Sequence, residues 1–388
     1  TLSVDQNIPF LGGTLSLQSS LSRLDQFNYD LQTYNTVPLI LNYTQPIRAY
    51  NALKWRKKTA PLQYENAQRA YLETMQDITI NVTNLFFTVL SAQENYRQSV
   101  ADYEDRKHLF EIAKKRLDLG TTTKSEVLQM ELSLLNAKMS VNSTNLTLRT
   151  QLFSLFSYLR IVDYGDIELL PPYYMPEIEM NAEQVLDKAW TGSSHSIEQQ
   201  LNLLESQRAL AEAKANRGLQ VEFRGRLGLS QSANELPAAY RRLKDYETVG
   251  LTMTIPIYDW GMGRGKVRMA KTDVEITKTQ IEQANIEFAH DVRTKVLQFN
   301  NQAEQCKTSL RAQDIAAERY DIMKKRFENG SVTVTELNTA QEEFESAQHQ
   351  YISQLQQFWT DYYGIQKLTL YDFIRKENIG VNFNDLVN

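Results

Sequence analysis

Two clusters of cations stand at matching places in the sequence. Lys114-Lys115-Arg116 runs into Leu117-Asp118-Leu119-Gly120, and Lys324-Lys325-Arg326 runs into Phe327-Glu328-Asn329-Gly330. A Thr-x-x-Glu follows each glycine, Thr123 to Glu126 and Thr333 to Glu336. The local chemistry of such residues is that of helix ends. Cations are stabilised at a helix C-terminus, glycine takes the left-handed conformation that stops a helix, and Thr-x-x-Glu caps the next one. Catalytic chemistry is absent from the pattern. His108, His195, His290 and His349 are scattered, with no carboxylate or cysteine pairing. A lone Cys306 excludes a disulfide framework and a cysteine-built metal site, and it reads as a small packed hydrophobe. Gly261-Met262-Gly263-Arg264-Gly265-Lys266 resembles a phosphate loop, but the spacing is wrong and Val267 follows the lysine. It reads as a small-residue junction, with Trp260, Tyr258 and Tyr43 as candidates for an interfacial aromatic belt. No enzyme, cofactor or metal site is expected. A net charge of −5 without a long basic run argues against nucleic acid as a partner. No apolar run is long enough for a transmembrane helix.

The elements that position the clusters are written twice. Gly120 and Gly330 stand 210 residues apart, and so do Pro46 and Pro256. Register kept over that distance marks one unit duplicated in tandem.

Four segments alternate with period two. Their apolar residues are Leu15, Leu17 and Leu21; Val37, Leu39, Leu41 and Tyr43; Val221, Phe223, Leu227 and Leu229; and Val249, Leu251, Met253, Ile255 and Ile257. All carry odd numbers, so the copies present the same face. The even-numbered face is polar, with Glu222, Arg224 and Arg226. The segments have the length of tilted membrane-spanning strands, with odd side chains toward lipid and even ones toward a wet lumen. Four strands cannot close a barrel, and an open edge is not tolerated in lipid, so several chains must share one. The plainer alternative is a soluble coiled-coil scaffold with a small sheet.

Residues 62–119 and 266–329 contain neither glycine nor proline. Each has the length of a helix of about 90 Å. Apolar residues recur at coiled-coil spacing, as in Ile78, Val82, Leu85, Val89, Ala92 and Tyr96, and in Phe288, Val292, Phe299, Ala303, Cys306 and Leu310. Return helices follow through Val127, Met130, Leu134, Ala137 and Val141, and through Leu337, Ala340, Phe344, Ala347, Tyr351, Leu355 and Phe358. Each copy thus ends in a helical hairpin whose tip carries the cations. Pro46 and Pro256 mark the junctions where strand gives way to helix.

The expected organisation is a first repeat over 1–170, with strands near 14–25 and 37–46. A proline-rich crossover over 171–181 follows. The second repeat covers 182–374, with a helix over 182–218 and strands near 221–231 and 248–257, and a tail covers 375–388. The counterpart of the 182–218 helix falls before Thr1, and no signal peptide is visible, so the natural N-terminus is expected to lie outside this sequence.

Paired strands, a proline, a long helix, Arg-x-x-x-Gly and Ser/Thr-x-Glu-Leu, all duplicated, resemble the outer-membrane efflux family, the TolC-like exit ducts. Gln6-Asn7-Ile8-Pro9-Phe10-Leu11-Gly12-Gly13-Thr14 and Pro256-Ile257-Tyr258-Asp259-Trp260-Gly261-Met262-Gly263 are also similar to stretches in that family. The resemblance implies a mainly α fold with a membrane β-sheet. Each protomer of a homotrimer would give four strands to a 12-stranded barrel in the outer-membrane lipid of a Gram-negative bacterium, and its helices to a periplasmic α-barrel. It implies a passive duct working with a periplasmic adaptor and an inner-membrane transporter. It assigns adaptor docking to Lys114, Lys115, Arg116, Gly120, Lys324, Lys325, Arg326 and Gly330. It places a periplasmic gate at Phe327 and Glu336, with Val332 and Thr339 standing where the family carries an arginine and a second acid.

Overall fold

The structure, a computed structural model, describes residues 1–27, 31–162, 165, 167–172, 175–328, 331–332 and 334–383. In chain order the elements are β1 (Leu2–Ile8), β2 (Gly13–Gln26), β3 (Leu31–Arg48), α1 (Ala52–Asp118), α2 (Lys124–Tyr158), α3 (Ala182–Gly192), α4 (His195–Arg217), β4 (Gln220–Ala233), α5 (Leu236–Ala239), β5 (Lys244–Thr254), α6 (Met262–Glu328), α7 (Val334–Thr369), β6 (Tyr371–Asp372) and β7 (Glu377–Asn378). They form two compact units. One holds Thr1–Gln68 with Ser194–Glu287, the other Arg69–Ser193 with Phe288–Asn388.

The first unit is built on an antiparallel sheet in the order β1-β2-β3-β4-β5. β2 to β5 occupy the four alternating segments. β1 is an addition the sequence reading left out. Its residues alternate in the opposite parity, with Leu2, Val4 and Ile8 apolar and Ser3, Asp5 and Asn7 polar. It pairs with the first half of β2, from Leu2↔Ser19 to Ile8↔Gly13, after a turn in which Gly12 takes φ +76°.

β3 corrects the parity assignment. Pro38 has no ladder donor, and the register skips it on both sides, between Gln18 and Ser20 of β2 and between Thr36 and Leu39 of β3 facing β4. The bulge moves Val37 onto the polar face beside Ile40. Across it lies Gly228, where a Cβ would meet the Leu39 carbonyl oxygen at 2.5 Å. A side chain there would push the two strands apart.

The second unit packs two helical hairpins. Its core gathers Val185, Leu186 and Ala189 of α3, Val292, Val296 and Phe299 of α6, and Phe358, Tyr362 and Ile365 of α7. A second cluster joins Phe87 and Leu90 of α1 to Cys306, Ile352 and Leu355. Burial pushes the Cys306 thiol up to about 11, which leaves it neutral and unreactive at physiological pH.

The single helix read over 182–218 is in fact two. α3 ends at Gly192, which lies against α7. A Cβ there would fall far inside van der Waals contact with the Thr369 carbonyl oxygen. Ser193 then turns extended, with φ −70° and ψ 163°, before α4 begins.

Candidate functional site

The sheet has one apolar and one polar face. Along β5, Val249, Leu251 and Met253 are 78%, 58% and 56% exposed. Leu17 and Leu21 of β2, Leu39 and Leu41 of β3 and Leu227 of β4 are exposed on the same side. The opposite face is a polar concavity lined by Asp5, Ser16, Gln18, Asn42, Thr44, Glu222, Arg224, Arg226 and Tyr246, among others. Its side chains satisfy one another. Ser16 donates to Asp5, Arg224 donates to Glu222, and Asn42 Nδ2 donates to Gln18 Oε1 at 3.4 Å. A sheet that exposes a continuous hydrocarbon face and keeps its charges on the other follows the pattern of a barrel wall between lipid and water. The outer edges of β1 and β5 pair with nothing among the described residues.

Pro46 and Pro256 sit where the strands run out. Pro46 lies in β3 at a register irregularity with β4, and Pro256 lies just past β5. In each copy the long helix begins six residues later, at Ala52 and Met262. Between Pro256 and α6, capping is provided by Asp259, whose carboxylate accepts from the Gly263 and Gly261 amides at 2.8 and 3.0 Å. Those two bonds hold its carboxyl below the usual range.

The first tip is resolved in its cap chemistry. The Thr121 amide donates to the Arg116 carbonyl and the Gly120 amide to the Leu117 carbonyl, both at 2.9 Å, with Gly120 at φ +69°. This is the Schellman ending. The Glu126 amide donates to Thr123 Oγ1 at 3.3 Å, and the Thr123 amide donates to Glu126 Oε2 at 3.0 Å. These two bonds form the capping box that starts α2. Thr122 also donates to Glu126, and this bond first, then the Thr123 amide, lowers the carboxyl's pKa. Lys114 lies over the Phe110 ring at 4.1 Å and pairs with Glu111 at 3.3 Å. Lys115 and Arg116 are exposed and form no ion pair among the described residues.

At the second tip the Ser331 amide donates to the Arg326 carbonyl at 3.0 Å, repeating the outer bond of the first. Gly330 lies outside the described residues. Lys324 is spent on Asp105 of α1 at 3.4 Å, and Lys325 pairs with Asp321 at 2.5 Å. Arg326 is exposed. Phe327 belongs to α6, its side chain lying outside what is described. Glu336 is exposed in the first turn of α7. The two cation clusters are therefore alike in sequence but not in engagement.

A polar seam that sequence reading missed joins α1 to α7. Gln341 Nε2 donates to Asp102 Oδ1 at 3.2 Å, Gln348 Nε2 to Glu94 Oε2 at 3.0 Å, and Gln356 Nε2 to Asn84 Oδ1 at 3.1 Å. Lys367 closes it on Asp77 at 2.8 Å. Partner numbers fall along α1 as they rise along α7, so the helices run antiparallel. The near-heptad recurrence of glutamine in α7 was the available signal. On α2, Val127 and Ala137 pack inward. Leu128, Leu132, Leu135, Met139, Leu146 and Phe153 form a second stripe at coiled-coil spacing, and all are exposed.

Comparison with known proteins places this geometry. The family model described as outer membrane efflux protein matches residues 3–159 and 193–369, once for each repeat. No curated protein sequence matches. Among solved structures, the outer membrane channel CmeC of Campylobacter jejuni superposes with a TM-score of 0.72 at 14% identity, over 98% of this chain and 81% of that one. The open state of the MtrE outer membrane channel of Neisseria gonorrhoeae gives 0.69 at 13% identity, over 92% and 80%. The outer membrane protein VceC of Vibrio cholerae gives 0.64 at 14% identity, over 92% and 86%. At such identities the likeness establishes a shared fold. The two family-model matches establish more: this chain belongs to the outer membrane efflux protein family.

Proposed function

We propose that this chain is the protomer of a homotrimeric passive exit duct in the Gram-negative outer membrane. Its helices reach into the periplasm, and it exports small molecules or proteins together with a periplasmic adaptor and an inner-membrane transporter. The observation that carries this reading is the two-faced sheet with unpaired outer edges. An apolar face exposed over β2 to β5 is costly in water and favourable in lipid. Open edges in lipid leave backbone groups unsatisfied, so the sheet is closed by copies of itself.

Strand direction selects the closing pair. β2 and β5 run antiparallel to each other, so β5 of one copy continues the ladder onto β2 of the next. β1 runs parallel to β5 and makes an odd count, whereas bacterial single-chain barrels are antiparallel and even-stranded. We therefore place β2 to β5 in a 12-stranded wall, with β1 leaving the β2 edge when the ring closes. The exposed stripe on α2 is the matching surface for a neighbouring copy's helices. Lys115, Arg116 and Arg326, with Lys114, Lys324 and Lys325 beside them, are the docking surface for the adaptor, with Gly120 and Gly330 shaping the tips. Phe327 and Glu336 flank the periplasmic gate. The duct needs no cofactor, because the driving free energy comes from the inner-membrane partner.

The test is conductance. Full-length protein purified in detergent should have the mass of three chains and should open steady unitary currents in a planar bilayer. A monodisperse monomer that leaves the bilayer silent would end this reading.

A further inference from the structure

The tandem copies share a second set of cations that the duct itself does not use. Lys54, Arg56 and Lys58 stand on the first turns of α1, and Arg264, Lys266 and Arg268 stand 210 residues on, in the first turns of α6. All six are exposed. None forms an ion pair among the described residues. Lys58 lies over the Trp55 ring at 5.1 Å. Asp259 lies near enough to Arg264 to feel its charge, but its oxygens are engaged by the Gly261 and Gly263 amides. The fold gives no local reason for these cations. Neither helix has an acid in its first turn, and positive charge there opposes the helix dipole.

What precedes the cations supplies the reason. Ile255, Ile257, Tyr258 and Trp260 follow β5 and are exposed, Trp260 at 79%. Tyr258 and Trp260 meet edge to face, with ring centroids 4.8 Å apart. Tyr50 stands at the equivalent place after β3, followed by Trp55. After β5 the order is hydrocarbon, aromatic, cation, the order of a membrane interface read from its core outward; at the end of β3 the same residue types recur with Arg48 and Trp55 interleaved. β3 and β5 run in the same direction on either side of β4, with Gln45, Phe223 and Leu251 in one row. Both cation sets therefore leave the same rim of the sheet.

Resting on the reading that the sheet spans the outer membrane, we infer that these six residues form a basic collar that binds anionic phospholipid phosphates of the periplasmic leaflet. Lys and Arg beside an anionic surface are attracted by its potential and snorkel to the phosphate level. A zwitterionic lipid offers the same hydrocarbon without net charge.

The test uses full-length protein in bilayers of equimolar phosphatidylethanolamine and phosphatidylglycerol, with the native tryptophans as reporters. Quenching by dibrominated phosphatidylglycerol is compared with quenching by dibrominated phosphatidylcholine. The expected preference for the anionic lipid is roughly fivefold or more, the worth of about one surface cation, and it shrinks as salt is raised. Replacing all six residues by glutamine removes it. Exchanging the lysines and arginines for one another keeps it, and so does neutralising Lys114, Lys115 and Arg116 at the tip. Equal quenching by both lipids, a preference insensitive to salt, or equal loss in the tip variant overturns the collar while leaving the duct standing. Quenching by neither lipid means that the strands are not in the bilayer, which overturns the duct as well.

Discussion

Leu251 and Thr252 are neighbours on β5 that face opposite sides of the sheet, and an arginine at each should have opposite consequences. Leu251 lies between Val249 and Met253 on the exposed apolar face and stands across from Phe223. Thr252 stands across from Glu222 on the polar concavity. In a bilayer, Leu251→Arg puts a guanidinium into hydrocarbon, costing about 2–4 kcal/mol near the midplane. That is roughly a 30- to 700-fold shift in the folding equilibrium. Thr252→Arg places its guanidinium in water beside Glu222, which Arg224 already engages, and should stay within about 0.5 kcal/mol. The assay is urea titration of full-length protein folded into phosphatidylcholine vesicles, read by tryptophan fluorescence and by SDS-resistant trimer. If the sheet were a soluble scaffold, both would be surface substitutions with effects within about 0.5 kcal/mol. Equal midpoints for the two variants would refute the assignment of faces.

Reversing charge at Arg116 and Arg326 together should weaken capture of the adaptor without changing helix content by circular dichroism; unchanged capture counts against docking at the tips. Thr123→Ala should cost about 1 kcal/mol of stability through loss of the α2 cap, measured by denaturant unfolding. The depressed carboxyl of Glu126 adds an acid dependence at the same tip: its contribution is present above the ordinary glutamate value and is lost as pH falls through the lower folded value, so the Glu126→Gln variant should show less loss of stability on acidification than the parent. Val4→Cys with Leu17→Cys, paired in the β1–β2 register, should lock β1 in place when oxidised and hold the chain as a monomer, while reduction restores the trimer; trimers formed from the locked chain would place β1 outside the path of closure. Buried Cys306 should not interfere, its thiol being pushed up to about 11.

Helices and tips were the most legible parts of the sequence, for a physical reason. The long runs without glycine or proline over 62–119 and 266–329 have few alternatives to helix, and Gly120 and Thr123-x-x-Glu126 act through backbone hydrogen bonds within a few residues. The strands were legible through alternation, but alternation fails where the backbone gains a residue. Pro38 produced a bulge, and Val37 changed faces. β1 escaped because it is short, interrupted by Gln6, and opposite in parity to the rest. The α3–α4 break falls at Ser193, beside the close approach of Gly192 to Thr369, a tertiary contact that no local pattern announces. On α2 the inward seam of Val127 and Ala137 was found, whereas the outward stripe through Leu132 and Met139 was overlooked, because two heptad registers overlap on one helix. At the tips, sequence could not distinguish Lys324, engaged by Asp105, from Lys115, which meets no acid among the described residues.

The central claim is that one chain supplies only a sector of a closed wall. Electron cryomicroscopy of the full-length protein in detergent tests it most directly. The account predicts three-fold particles in which β5 of each copy is hydrogen-bonded to β2 of the next. Particles of a single chain whose own residues seal both edges of the sheet would contradict it.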